Sequence, residues 1–159
     1  MHASNNAFGT VAPVSVHRVL PFMGRAAEPS GTDLAFLALA NAYRPFGGIA
    51  ESAEAAERLP GTGISRLARG IVARELVCFQ WRGDYWLPRF QFQGAGLEIA
   101  ADASLLISEL SPVMKDWELA HWFVTPNASL QDRMPLQAMP TDFAAVHDAA
   151  RLHRFVHSN

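Results

Sequence analysis

The chain is nearly free of cysteine, since Cys78 is the only one among its 159 residues. A single cysteine excludes a disulfide framework and a thiolate metal cluster built within the chain. Cys78 stands in the apolar run Val77-Cys78-Phe79, where a small buried side chain is expected rather than a nucleophile. We therefore expect the hydrophobic core to stabilise the fold without help from disulfides or cofactors.

Long hydrophobic runs are absent as well. No stretch approaches the roughly 18 apolar residues of a transmembrane helix, and the first residues lack the charged region, apolar core and small-residue cleavage site of an export signal. Half of the residues are hydrophobic and 18% are charged, which is typical of a globular chain. The sequence predicts a cytoplasmic protein that does not bind a membrane.

The chain has no large excess of charge of either sign. Its net charge is −2, from 13 basic and 15 acidic residues. Residues 44–89 hold seven arginines against five acidic residues, whereas residues 90–159 hold four basic against eight acidic residues. This asymmetry leaves DNA binding by the middle of the chain open, although the pI of 6.3 is far below the value of about 9 that favours nucleic-acid binding. Solvated faces of two modules explain the same distribution.

Catalytic motifs are missing too. Gly61-Thr62-Gly63 lacks the Lys-Ser/Thr pair of a phosphate-binding loop, and no Gly-x-Ser-x-Gly elbow occurs. His153 and His157 are four residues apart, but no Glu follows His153 and Arg154 would repel a cation, so the zinc motif His-Glu-x-x-His is not formed. We predict that the chain is not an enzyme and holds neither a metal nor another cofactor.

Turn signals divide the chain into three segments. Residues 1–31 mix Asn, Gly, Pro and Ser with short apolar patches, which predicts a flexible N-terminal tail. Residues 32–93 combine helix and strand patterns, and a glycine-containing joint then leads to residues 97–159, which hold helical patterns. The middle segment opens with a predicted helix over Asp33–Ala42, with Thr32 as its N-cap.

Within the middle segment, Ser52 is a candidate N-cap for a short helix over Ala53–Leu59. A second helix is predicted over Ile64–Leu76, and two strands over Val77–Trp81 and Tyr85–Phe92 flank a turn signal. The second helix carries an apolar stripe at helical spacing, which we expect to face inward: Ile64, Leu67, Ala68, Ile71, Val72 and Leu76. Helix, turn, helix and hairpin is the layout of a winged helix-turn-helix.

Residues 48–92 are similar to the excisionase/MerR-like winged helix, with a Ser-started helix, a second helix and a hairpin ending in an aromatic segment. The connection from Leu59 to Ser65 is longer than the tight turn of that family. The resemblance implies DNA-binding roles for Ser65, Arg66 and Arg69 in a groove and for Arg82 on the wing near phosphate. The alternative is that these helices and the hairpin are only a scaffold, and that the arginines form a solvent-exposed face without binding DNA.

The C-terminal segment contains a tryptophan-rich pattern. Helices are predicted over Asp102–Leu110 and Asp116–Val124, a helical turn is predicted to open at Pro135, and the last helix starts at Thr141 or Asp142. This order resembles the toxin-binding C-terminal domain of the Xre/MbcA/ParS antitoxin family over about 60 residues. The matching residues are Trp117, Trp122, Thr125, Pro126, Asn127, Leu130, Pro135 and Val146.

The antitoxin resemblance implies that the domain binds a toxin of the NAD-degrading RES-domain class and inhibits it by physical occlusion. Gln131-Asp132 stands where that family has a glycine, and Met134 stands where it has a threonine. The last helix also runs on through Arg151 to His157, where the family has a terminating glycine. The candidate partner-binding residues are Trp122, Thr125, Asn127, Leu130, Arg133, Arg151 and Arg154.

Packing offers a second interpretation of these residues. Trp117 and Trp122 are expected to be core more often than interface, because one small helix can hardly expose both, and Asn127 is expected to shape a turn. Arg133 and Arg154 are then the better candidates for polar contacts with a partner.

The sequence thus predicts a mainly α chain of the α+β class, in which a degenerate winged helix-turn-helix with a β-hairpin (residues 32–93) precedes a small helical domain (residues 97–159). The leading functional hypothesis is an antitoxin-like protein that neutralises a partner toxin through the helical domain. The alternative is a DNA-binding transcriptional regulator that acts through residues 48–92 and dimerises through the C-terminal domain. A stand-alone adaptor that has lost both activities is a third hypothesis.

Overall fold

The computed structural model describes residues 31–59, 61–94 and 98–158, so the predicted tail over residues 1–31 lies almost entirely outside the described residues. The described chain is mainly helical with a small amount of sheet, which confirms the predicted α+β composition. Its helices are α1 (Gly31–Tyr43), α2 (Ser52–Glu57), α3 (Gly61–Val72), α4 (Ala101–Leu110), α5 (Asp116–Trp122), α6 (Pro135–Ala138) and α7 (Phe143–His157). Its strands are β1 (Ile49–Glu51), β2 (Phe79–Trp81), β3 (Asp84–Pro88), β4 (Phe92–Gln93) and β5 (Glu98–Ile99). No helix among them is long and apolar enough to cross a membrane.

Three of the strands form an antiparallel sheet in the order β1-β3-β2, and β4 pairs with β5. The hairpin between β2 and β3 turns at Arg82 and Gly83, whose φ angles are 53° and 93°. Two positive φ angles in a two-residue loop give the twist that fits a hairpin, and the predicted hairpin is thereby confirmed. Strand β1 was not predicted from the sequence, because three residues are too short for a recognisable alternation of apolar and polar side chains.

A single large hydrophobic cluster connects α1 and the hairpin with the C-terminal helices. Tyr43 of α1 is fully buried, and its hydroxyl donates to the carbonyl of Ala120 in α5 at 2.6 Å. Phe79 of β2 packs edge-on against Trp117 at a ring distance of 5.1 Å. The other large side chains of this cluster that are fully buried are Leu39, Leu106, Ile107, Leu110, Leu119, Phe123 and Leu130. The first helix of the middle segment therefore shares its core with the C-terminal segment.

A second, smaller cluster lies beneath α2 and α3. It includes Cys78, which is 6% exposed. Burial, and secondarily the charge of Asp116, raises the pKa of the Cys78 thiol to about 11, so the thiol is protonated at neutral pH. The interpretation of Cys78 as a buried structural residue is confirmed.

The apolar stripe predicted to face inward on α3 is only partly buried. Leu67 is 8% exposed, whereas Ile64 is 46% and Val72 is 85% exposed. The small second cluster covers one narrow strip of the helix, and nothing in the described chain covers the rest. The predicted helix also runs too far, because α3 ends at Val72 and Arg74 takes the left-handed φ of 55° that closes a helix C-terminus.

Two predicted helix caps are also wrong. Ser52 lies inside α2, whose N-cap is Glu51 without a side-chain hydrogen bond, and Thr32 lies in the first turn of α1. Of the two predicted starts of the last helix, Thr141 and Asp142, the structure has Asp142 as the N-cap, since the Asp142 carboxylate accepts from the backbone N–H of Ala145 at 3.2 Å.

Two polar side chains join distant parts of the chain. Arg74, at the end of α3, donates to the carbonyls of Ser111 and Met114 at 2.8 and 2.6 Å and to the Asp116 carboxylate at 3.0 Å. These bonds attach the end of α3 to the connection between α4 and α5. Gln91 is fully buried, and its side-chain amide bonds to the backbone of Val77, before β2, and of Pro88, at the end of β3.

Candidate partner-binding surface

The loop between α5 and α6 is shaped by Asn127. The Asn127 side chain accepts from the backbone N–H of Ser129 at 2.9 Å. Its backbone N–H donates to the carbonyl of Arg133 at 3.1 Å, and its carbonyl accepts from Leu130 and Asp132 at 2.9 and 3.0 Å. Four hydrogen bonds to one residue fix the loop, and the interpretation of Asn127 as a turn-shaping residue is confirmed.

The same loop shows how the chain turns without the glycine of the antitoxin family. Gln131 and Asp132 both have left-handed backbone conformations, with φ angles of 58° and 60°. This region costs an L-residue other than glycine about 1–2 kcal/mol. The backbone therefore keeps the shape that a glycine would favour, at the expense of some stability.

We expect Gln131→Gly to raise the free energy of unfolding by about 0.5–1 kcal/mol. Relief of the left-handed conformation outweighs the extra chain entropy that glycine brings to the unfolded state. Urea denaturation monitored by circular dichroism measures the change. The matched control is Ala144→Gly on the exposed side of the first turn of α7, which should lower stability, by less than the roughly 1 kcal/mol of a helix interior. Equal losses for both variants would show that the loop gains nothing from glycine.

Two residues of the predicted partner-binding set belong to the core. Trp122 is 7% exposed and Leu130 is 1% exposed. Trp122 packs edge-on against Phe123 at 5.1 Å. Their assignment to partner contact is corrected to a packing role, because neither side chain reaches the surface to any useful extent. Thr125 is exposed, and its hydroxyl donates to the carbonyl of His121 at 2.8 Å.

The three predicted arginines lie at separate points of this surface. Arg133 is 3.9 Å from Asp142 at the start of α7, and Arg154 near its end donates to Glu109 of α4 at 3.0 Å. Twelve residues of α-helix between positions 142 and 154 correspond to about 18 Å. Arg151, two-thirds exposed, is 3.9 Å from Asp148. The arginines therefore form no single cationic cluster, and each has a carboxylate nearby.

An exposed apolar patch, which the sequence analysis did not single out, covers the last two turns of α7. Leu152, Phe155 and Val156 are 52%, 71% and 59% exposed. Leu152 does not belong to the buried face of α7, which runs through Val146 and Ala150. The spacing of residues 152, 155 and 156 was a usable signal, since it places a second apolar stripe on one side of the helix. We call these three residues the α7 end patch.

A groove continues from the α7 end patch along the helix. It has a volume of about 270 Å³ and lies between the Asn127 loop and the outer face of α7. Leu152 belongs to both the groove and the patch. The described residues that line the groove are Ser129, Ala145, Asp148, Ala149 and Leu152. The small side chains of the floor leave room for an apolar side chain of another molecule.

Two histidines lie beside the patch. The rings of His153 and His157 stack at 4.1 Å. Burial, and secondarily the neighbouring His157, lowers the pKa of His153, which favours its neutral form at neutral pH. Among the residues that the structure describes, no group of three or more His, Cys, Asp or Glu side chains is placed to hold a metal ion.

The predicted DNA-binding residues divide into two kinds. Ser65, Arg66 and Arg69 are exposed on α3, and neither arginine pairs with a carboxylate of the described chain. Arg82 on the hairpin is held differently, since it donates twice to Asp33, at 3.0 and 2.8 Å. The hydrogen bonds and charge of Asp33 raise the pKa of Arg82. A phosphate at the hairpin would have to compete with Asp33 for this guanidinium.

No protein-family model, curated protein or solved structure matches the chain. Two surfaces of the described residues are candidates for binding a partner. One is the α7 end patch with its groove. The other is the face of α3 that carries Arg66 and Arg69.

Proposed function

We propose that this chain is an antitoxin-like protein that binds and neutralises a partner toxin through its C-terminal helices. The α7 end patch is the observation that carries the proposal. Three large apolar side chains within two turns expose more than half of their surface. Contiguous exposed apolar residues mark interaction sites, whereas singly scattered ones do not.

The surroundings of the patch fit a protein partner. Arginine and aromatic side chains are enriched at the centres of protein interfaces, and here Phe155 is on the same helix as Arg151 and Arg154. The adjoining groove offers a recess for an apolar side chain. The choice of a RES-domain toxin rests on the resemblance of residues 97–155 to the antitoxin family. The Asn127 loop supports this resemblance, since its backbone has the positive φ angles that glycine favours at the position where that family has its glycine.

A double substitution in the patch tests the proposal. We expect Phe155→Asp with Val156→Asp to abolish rescue when the chain is co-expressed with a RES-domain toxin that alone stops growth. Two carboxylates would be desolvated in the interface without partners. Stability should change little, because both side chains are exposed. Growth on solid medium and co-purification of the two proteins are the measurements.

The matched control is Leu34→Asp with Leu37→Asp on α1, two apolar residues that are each 56% exposed. This variant should rescue growth as the wild type does. Failure of the wild-type chain to rescue growth would contradict the toxin assignment. Rescue by the variant with the altered patch would contradict the binding surface.

A second candidate function is DNA binding through a winged helix-turn-helix. The order α1, β1, α2, α3 and a β2–β3 hairpin, with β3 between β1 and β2 in the sheet, supports this module. Arg66 and Arg69, which pair with no carboxylate of the described residues, support it as well. In this candidate, α3 enters a groove and the hairpin lies near the backbone.

For DNA binding we expect Arg66→Ala with Arg69→Ala to weaken affinity for duplex DNA and to reduce the slope of log K against log salt by about 2. Without these two arginines the protein neutralises fewer phosphates, so fewer counterions are released from the DNA on binding. Gel shifts on the promoter of the chain's own gene, between about 50 and 200 mM salt, measure the slope. Arg151→Ala with Arg154→Ala on α7 is the control with the same charge change. An absence of any shift at the lowest salt would exclude this function.

A further inference from the structure

A cavity of about 190 Å³ lies between α2 and the strands β1 and β3. Its floor is apolar, because Ala50, Ala55 and Leu87 are all at least 95% buried. Ala50 and Leu87 are directly paired in the sheet, so their side chains point to the same face. Phe92 is half-buried and forms part of the wall. None of these residues belongs to the α7 end patch or to the arginine-bearing face of α3.

The rim of the cavity carries more positive than negative charge. Arg58 Nη2 and Arg89 Nη2 both lie against the same oxygen of Glu54, Oε1, at 2.5 and 3.3 Å. Two guanidinium groups therefore share one carboxylate. No other carboxylate of the described chain lies within ion-pair distance of either arginine. One positive charge at the rim is left without a partner.

The two guanidinium groups also have unused hydrogen-bond donors. Each guanidinium has five N–H donors, and in this structure each of the two makes one bond, to Glu54. Because both groups converge on one oxygen, they lie side by side at the mouth of the cavity. Planar guanidinium groups match the geometry of a carboxylate. The rim is thus suited to a second carboxylate, supplied by a ligand.

The volume limits the size of that ligand. An apolar protein cavity of about 150 Å³ accommodates benzene, whereas drug-sized ligands occupy about 300–1,000 Å³. A volume of 190 Å³ therefore suits one ring or a short acyl chain. Nucleotides and other large anions are too large to be enclosed in this volume.

We propose that this cavity binds a small organic monocarboxylate, with its carboxylate between Arg58 and Arg89 and its apolar body against Ala55 and Phe92. The ligand carboxylate supplies the negative charge that the rim lacks. The apolar floor selects an organic acid over an inorganic anion. Because α2 immediately precedes α3 in the chain, the site lies beside the helix that carries Arg66 and Arg69.

Titration of the full chain with defined probes tests the proposal. Benzoate and hexanoate represent the aryl and acyl forms of the ligand, benzyl alcohol is the neutral analogue, and inorganic phosphate is the anion without an apolar body. Calorimetry should show saturable one-to-one binding of benzoate or hexanoate at about 1 mM, the affinity expected for so few atoms. Benzyl alcohol and phosphate should bind at least about tenfold more weakly. The stronger of the two acids identifies the aryl or the acyl class.

Variants locate the site. Arg89→Gln and Arg58→Gln should each weaken binding of the preferred acid by about tenfold or more, the effect of losing a hydrogen bond to a charged group. Arg69→Gln, which makes the same charge change on the outer face of α3, should bind as the wild type does. Circular dichroism and the melting temperature without ligand confirm that each variant is folded. Absence of saturable binding, equal binding of phosphate, or unchanged binding by both rim variants would overturn the proposal.

Discussion

Replacement of Gln91 by alanine is expected to lower the free energy of unfolding by about 3–6 kcal/mol. Gln91 is fully buried. Its Oε1 accepts from the backbone N–H of Val77 at 2.8 Å, and its Nε2 donates to the carbonyls of Val77 and Pro88 at 2.9 Å each. Alanine would leave three buried backbone groups unpaired, each at a cost of about 1–3 kcal/mol. A typical domain is stable by only about 5–15 kcal/mol, so a large share of the stability would be lost.

Two further variants separate the hydrogen bonds of Gln91 from its position in the chain. Gln93→Ala, an exposed residue two positions later, should change stability by less than about 0.5 kcal/mol. Gln91→Glu keeps an acceptor for Val77 but directs a second acceptor at two carbonyls, so it should destabilise at least as much as alanine. Urea denaturation with linear extrapolation measures all three. A Gln91→Ala variant as stable as Gln93→Ala would mean that water replaces the amide without loss.

The elements with strong local patterns were predictable from the sequence. The helices α1, α4 and α7 carry apolar residues at helical spacing, and the hairpin turn is marked by Arg82-Gly83-Asp84, so both the types and the approximate positions of these elements were found. The role of Gln91 was not predictable. Its partners are the backbone atoms of Val77, 14 residues earlier, and of Pro88, and a side-chain bond to a distant backbone group leaves no periodic pattern.

Exposure was harder to predict than helix formation. Periodicity shows which side chains share a face, but it does not show whether another element covers that face. On α3 the apolar stripe was expected to be inward, yet Ile64 and Val72 are exposed. The exposure of Phe155 and Val156 on α7 was not predicted for the same reason. The helix continues beyond the core that covers its first part.

The candidate sites were predictable only where a residue acts through local backbone geometry. Asn127 could be interpreted as a turn-shaping residue because its neighbours in the sequence are also its hydrogen-bond partners. Arg82 was assigned to a wing near phosphate, but its bidentate partner is Asp33, 49 residues away. The cavity rim at Glu54 likewise combines Arg58, one helical turn along, with Arg89, 35 residues away. Only the tertiary fold brings such groups together.

Trp122→Ala is expected to lower the free energy of unfolding by about 3–5 kcal/mol, the range for large aromatic residues in a core. Trp122 is 7% exposed and packs against Phe123. Trp122→Phe is the matched control. It keeps an aromatic ring and removes an indole N–H that has no acceptor among the described residues. Trp122→Phe should therefore lower the free energy of unfolding much less than Trp122→Ala does. Arg154→Ala, which breaks one exposed ion pair with Glu109, should cost at most about 1 kcal/mol.

These three variants also test which side chains of the C-terminal helices contact the partner. If Trp122 supports the partner surface only by packing, then Trp122→Phe should still rescue growth in the toxin assay, and Trp122→Ala should fail only at temperatures where the chain unfolds. Arg154→Ala should weaken partner binding while its melting temperature stays near that of the wild type. Loss of binding by a fully folded Trp122→Phe would instead place the indole in the interface, because packing predicts no such loss.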